Sequence, residues 1–121
     1  MSTIKVDTIK NTSNVEVFTV KAWVNFDGTQ TAGNMIRASG NVSSITDNGV
    51  GYYTVNFTTA MTDANYAIAG SASYNGDTSS YGRTVGAPHG VNTASAVGII
   101  TSYLYNSGAQ DFAYVSVSVF R

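Results

Sequence analysis

Apolar and polar residues alternate along most of this chain, with Gly, Asn and Asp between the alternating runs, and this pattern predicts antiparallel strands. The clearest run ends at Phe26: Phe18, Val20, Ala22, Val24 and Phe26 share one face, and Val17, Thr19, Lys21, Trp23 and Asn25 share the other. Trp23 therefore sits opposite the core face, where an indole needs cover from a second surface. Asp27-Gly28 is a turn signal. Short strands are expected over 34–38 and 41–46, with Asn48-Gly49 suited to the positive φ of a tight hairpin turn. The next strand, 52–59, places Tyr53, Val55 and Phe57 on one face. Residues 60–65 read as a connection with one helical turn, and 66–74 as a strand whose Ala, Gly and Ser residues imply close approach to another sheet or chain.

Beyond it, 75–80 is loop and 81–87 a short strand, ended by the only proline in Pro88-His89-Gly90. An apolar strand over 94–105, a turn at 106–108 and a last strand over 111–120 complete the series. No stretch has a helical period of useful length. The expected fold is all-β: a single antiparallel β-sandwich or jelly-roll-like domain over 15–121, with Phe18, Val20, Val24, Val55, Phe57, Ile99, Val115 and Val117 in its core. Residues 1–14 differ. Ile4, Val6 and Ile9 are too few apolar residues to hold this segment together, and Asn11-Thr12-Ser13-Asn14 reads as a turn. The segment is an arm, either frayed or extended along another surface.

Composition narrows the function. The 121 residues suit one domain, and charged residues make up only 11%, against about 25% in ordinary soluble proteins. Two explanations stand: part of the surface is buried against other subunits, or neutral polar residues suffice to solubilise it. Net charge is −1 and the six Lys and Arg residues are dispersed, which argues against nucleic-acid binding through phosphates. There is no cysteine, hence no disulfide or thiolate metal site. No apolar run approaches a membrane span, so membrane insertion is not expected, and the start lacks a signal-peptide apolar region.

Candidate chemistry is sparse. The only histidine, His89, would need a serine and an aspartate brought to it from elsewhere. Asp27, Asp47, Asp63, Asp77 and Asp111 sit at or beside turn residues, where aspartate bonds its own backbone, and Glu16 is the only glutamate. The spacing of a calcium loop is missing around Asn75-Gly76-Asp77. No catalytic residue, metal site or cofactor is expected. Tyrosine is more informative, with eight in the chain. Tyr74, Tyr81, Tyr103 and Tyr105 lie near predicted strand ends among Asn, Ser and Gly, a palette suited to adaptable binding surfaces and to stacking on sugar rings; tyrosine is also simply a good strand residue. With His89 they form the candidate ligand-binding set.

Longer runs carry a resemblance. Lys21-Ala-Trp-Val-Asn-Phe-Asp-Gly-Thr, Ile36-Arg-Ala-Ser, Asn41-Val-Ser-Ser-Ile-Thr-Asp-Asn-Gly and Tyr53-Thr-Val-Asn-Phe-Thr-Thr-Ala-Met resemble a domain of bacteriophage tail-fibre and other virion structural proteins, especially those of marine phages and cyanophages. The start, Ser2-Thr-Ile-Lys-Val-Asp-Thr-Ile-Lys-Asn-Thr-Ser, is similar to the N-terminal segments of such fibres. The resemblance spans roughly residues 2–69 and departs from the family at Tyr52, where an acidic residue is usual, and at Thr62, where a proline is usual. It implies a non-enzymatic virion protein, often a homotrimer. One reading is a tail-fibre or receptor-binding module, held to other virion proteins or sister subunits by the arm through Ile4, Val6 and Ile9. Loops around 74–81, His89 and 105–109 would then face host polysaccharide or another receptor. The other reading is a capsid decoration protein, a cement or head knob that stabilises the shell.

Overall fold

A computed structural model describes residues 3–15, 19–74, 83–87, 92–104 and 108–121. The strands are β1 (Val20–Phe26), β2 (Ile36–Gly40), β3 (Val42–Gly49), β4 (Tyr52–Phe57), β5 (Ala67–Ser73), β6 (Arg83–Gly86), β7 (Ala96–Tyr103) and β8 (Tyr114–Phe120). They form two antiparallel sheets, ordered β2-β1-β8-β5 and β3-β4-β7-β6. The fold is all-β, a two-layer sandwich. No described residue is helical.

The core follows the period of two in the strands that face inward. Ala22, Val24 and Phe26 of β1 and Val115, Val117 and Val119 of β8 meet Tyr53, Val55 and Phe57 of β4 and Val97 and Ile99 of β7; all are buried. Met35, Met61 and Phe112 lie outside the strands and close the core from the connections.

Two ends can be named from the register. At one, β2 passes to β3 through Asn41, which adopts φ 55°. Its side-chain amide donates to the Lys21 and Thr59 carbonyls, at 3.0 Å each, and its Oδ1 accepts the Thr59 N–H at 2.7 Å. Asparagine tolerates the left-handed region and reaches the backbone of β1 and of the connection just after β4, so one residue fastens the crossing. At the other end β3 turns into β4 through Val50-Gly51. Gly51 has φ 72°, and a Cβ there would lie 2.6 Å from Gln110 N and 2.7 Å from Thr101 O. Only glycine fits.

Several expectations are corrected. Val20 is 44% exposed, because β1 shifts register against β8 between Val20 and Ala22 and the bulge breaks the alternation. Phe18, the other proposed core residue at this point, lies outside the described residues. The hairpin turn falls two residues after Asn48-Gly49: β3 continues to Gly49, which faces Tyr52. Asp47 Oδ1 accepts the Gly49 N–H at 3.1 Å, and Asn48 Nδ2 donates to Thr54 across the hairpin at 2.8 Å, so both side chains serve the ladder. The 60–65 connection has no helical turn; Asp63 Oδ1 accepts the Asn65 N–H at 2.8 Å in a local bend. The small residues of β5 do mark a close approach, since a Cβ on Gly70 would lie 2.9 Å from Val85 Cγ1 on the opposite sheet. Trp23 is opposite the core as expected, 43% exposed, and it lies over Gly40, where any side chain would collide with the indole.

Candidate functional site

The Gly51 end gathers most of the buried polar chemistry. Asp111 precedes β8 and its Oδ1 accepts the Gly51 N–H at 2.8 Å and the Tyr53 hydroxyl. The Gly28 carbonyl lies 3.2 Å from that hydroxyl. Thr101 is buried and donates its hydroxyl to the Gln110 carbonyl at 2.6 Å. The result is a latch joining the β1–β2 turn, the β3–β4 turn and the segment leading into β8. Burial, then the hydrogen bond and charge of Asp111, raise the Tyr53 phenol far above its ordinary pKa, so it remains a donor at any physiological pH.

Beside the latch stand Tyr74, at the end of β5, and Tyr103, at the end of β7. Both are half-buried, and Phe112 lies between them and the core. Ring centroids are 4.9 Å apart for Tyr74–Phe112, 5.4 Å for Tyr103–Phe112 and 6.3 Å for Tyr74–Tyr103. The Arg83 guanidinium sits 5.7 Å from each of the three rings, a cation–π arrangement. Burial and the hydrogen bond with Tyr103 push the Tyr74 phenol up to about 12. Much of the area of these rings is spent on one another, so the surface they offer a ligand is a ring edge, a phenol and a cation rather than an open stacking face.

The Asn41 end carries a shallow groove of about 320 Å³, lined by Lys21, Asn41, Thr59, Ala60, Met61, Thr62 and Arg121. Arg121 is held by Asp63 through two bonds, Nε to Oδ1 at 2.9 Å and Nη2 to Oδ2 at 2.8 Å. That pairing draws the Asp63 carboxyl down to about 2. A smaller cleft of about 90 Å³ opens between β2 and β3, over Met35, Ile36 and Ile45.

Of the sequence-predicted binding residues, Tyr74 and Tyr103 are therefore brought together, while Tyr81, His89 and Tyr105 lie outside the described residues. The described residues on either side of His89 leave β6 and lead to Thr93, whose carbonyl accepts the Tyr66 hydroxyl at 2.9 Å near the start of β7, away from the Gly51 end. In the arm, Ile4, Val6 and Ile9 are 88, 58 and 50% exposed. The turn expected at 11–14 is present: Asn11 Oδ1 accepts the Ser13 and Val15 N–H groups at 2.9 and 3.1 Å. Sequence reasoning missed Arg83, Phe112 and the Tyr53–Asp111 pair. Tyr53 and Asp111 are 58 residues apart, and neither carries a local signal for the other.

Among the described residues, no group of three or more His, Cys, Asp or Glu side chains is placed to hold a metal ion, and no helix is long and apolar enough to cross a membrane. No protein-family profile, curated protein or solved structure matches this chain.

Proposed function

We propose that the chain is a non-enzymatic structural protein of a bacteriophage virion, acting as a trimeric tail-fibre or receptor-binding module. The observation that carries this reading is its polarity. The chain enters the sandwich at Val20, at the Asn41 end, from a segment with exposed Ile4, Val6 and Ile9. Tyr74, Tyr103 and Arg83 lie at the opposite, Gly51 end. One end thus has the means to attach, and the other has tyrosine-bearing connections to present. The resemblance of residues 2–69 to fibre domains supports the same reading. Each host contact is weak on such a surface, and three copies on one axis raise the apparent affinity by avidity.

The test is cryo-electron microscopy of the intact particle. Density at the tail, with the Gly51 end pointing outward, agrees with the proposal. Density over the head shell replaces it with the decoration role, and absence from the particle removes both. Light scattering of the purified protein checks the trimer, and binding to host surface polysaccharide checks the distal end.

A further inference from the structure

The arm and one sheet edge have complementary needs. A sheet edge exposes backbone N–H and C=O groups that template pairing, and proteins guard such edges with charge, bulges, proline or brevity. Three of the four edge strands here are guarded. β2 carries Arg37 and meets a register shift at Asn25/Phe26. β3 carries Asp47 and is broken by shifts at Val42/Ser44 and Asp47/Gly49. β6 carries Arg83 and has four described residues.

β5 is different. Its seven residues, Ala67-Ile-Ala-Gly-Ser-Ala-Ser73, pair with β8 in unbroken register. They include no charge and no proline. Ala67, Ala69, Gly70 and Ser71 are exposed. Outside that pairing, the β5 backbone makes no hydrogen bond to other described backbone groups.

The arm presents the converse. Residues 3–10 are exposed and form no strand. Yet Thr3, Ile4, Val6, Thr8 and Ile9 are β-branched and suit an extended pairing. The stretch is one residue longer than the seven of β5. Among the described residues, the outer edge of β5 has no strand paired to it, and in the arm only Lys10 forms a bridge.

We propose that residues 3–10 of one copy add as a strand to the β5 edge of a second copy, extending the sheet to β2-β1-β8-β5-arm across the subunit boundary. β5 begins at Ala67 and β1 at Val20, both at the Asn41 end, where Val20 and Ala67 each pair with Phe120. An arm leaving beside Val20 thus starts at the same end as a neighbour's β5 when copies sit side by side around an axis. Backbone bonds supply the attachment, with Ile4 and Val6 on one face of the added strand and Ile9 on the other. The inference rests on reading 1–14 as an attachment segment and names its partner as a sister chain.

Disulfide trapping tests it cleanly, because the chain has no cysteine of its own. One preparation carries Val6→Cys, a second Asp7→Cys, which points to the other face of an extended strand, and a third Ala69→Cys; circular dichroism checks that each is folded. Either arm variant is mixed with Ala69→Cys in a glutathione redox buffer, and products are identified by mass spectrometry. The expected result is a mixed disulfide as the major product, lost when Ala69 is left native. Only same-residue disulfides, or no disulfide from either arm variant, overturns the proposal. So does a double variant, Val6→Cys with Ala69→Cys, that closes only within single chains. The measurement uses purified protein, so its failure leaves the placement on a particle to be judged by microscopy alone.

Discussion

Replacing Tyr53 with phenylalanine isolates one atom of the Gly51-end latch. The ring stays, with its edge-on contact to Phe26 at 5.1 Å between centroids, so packing is preserved and only the buried hydroxyl goes. Asp111 loses one donor and keeps the Gly51 N–H at 2.8 Å. A hydrogen bond to a charged group contributes about 1.5–3 kcal/mol, and for a domain of this size about 1 kcal/mol moves Tm by roughly 4 °C. Tyr53→Phe should therefore lower Tm by about 6–12 °C at pH 7, read by calorimetry and by urea unfolding. The same reasoning fixes a pH dependence. In the unfolded chain Tyr53 ionises near the ordinary phenol value of 10, whereas burial and Asp111 keep it protonated in the fold. Above pH 10 the native state holds the extra proton, so the native protein loses stability as pH rises, by about 1.4 kcal/mol at pH 11. The phenylalanine variant lacks this loss, and the gap between the two proteins should narrow by that amount. A gap under about 0.5 kcal/mol at pH 7, or one that stays constant from pH 9 to 11, would refute the account of the latch.

Gly51→Ala should destabilise by more than about 2 kcal/mol, since it adds left-handed strain to a Cβ placed 2.6 Å from Gln110 N; Gly33→Ala, also at positive φ but with nothing within 4 Å of its Cβ, should cost less in the same urea titration. Asn41→Ala removes the three side-chain bonds at the sheet crossing and should cost about 2 kcal/mol, with faster hydrogen exchange at Thr59 as its local sign. The Asp63 carboxyl should titrate near pH 2 by NMR, so whatever stability its pairing lends is present above the ordinary carboxylate range and fades as pH falls from about 4 toward 2. Arg121→Gln should return that midpoint toward 3.8.

The sequence by itself determined the all-β class, the inward faces of β4 and β8, the outward Trp23 and the shortage of apolar residues in the exposed stretch 3–15. Each depends on a period of two or a local shortage of apolar residues, which any short window shows. The tertiary structure alone decided which strands neighbour one another, that Val20 turns outward at a bulge, that the hairpin closes at Val50-Gly51, and that Phe112 and Arg83 complete the cluster around Tyr74 and Tyr103. The physical reason is range. A bulge is defined against a partner strand, so Val20 turns outward only once β1 and β8 have paired, and the Tyr53–Asp111 latch joins residues 58 apart, so it forms only when the two sheets have met. The same holds for the open edge of β5. Its small, uncharged sequence was legible, but that it lies at the end of a sheet, with β8 its only paired neighbour among the described strands, is a property of the strand order.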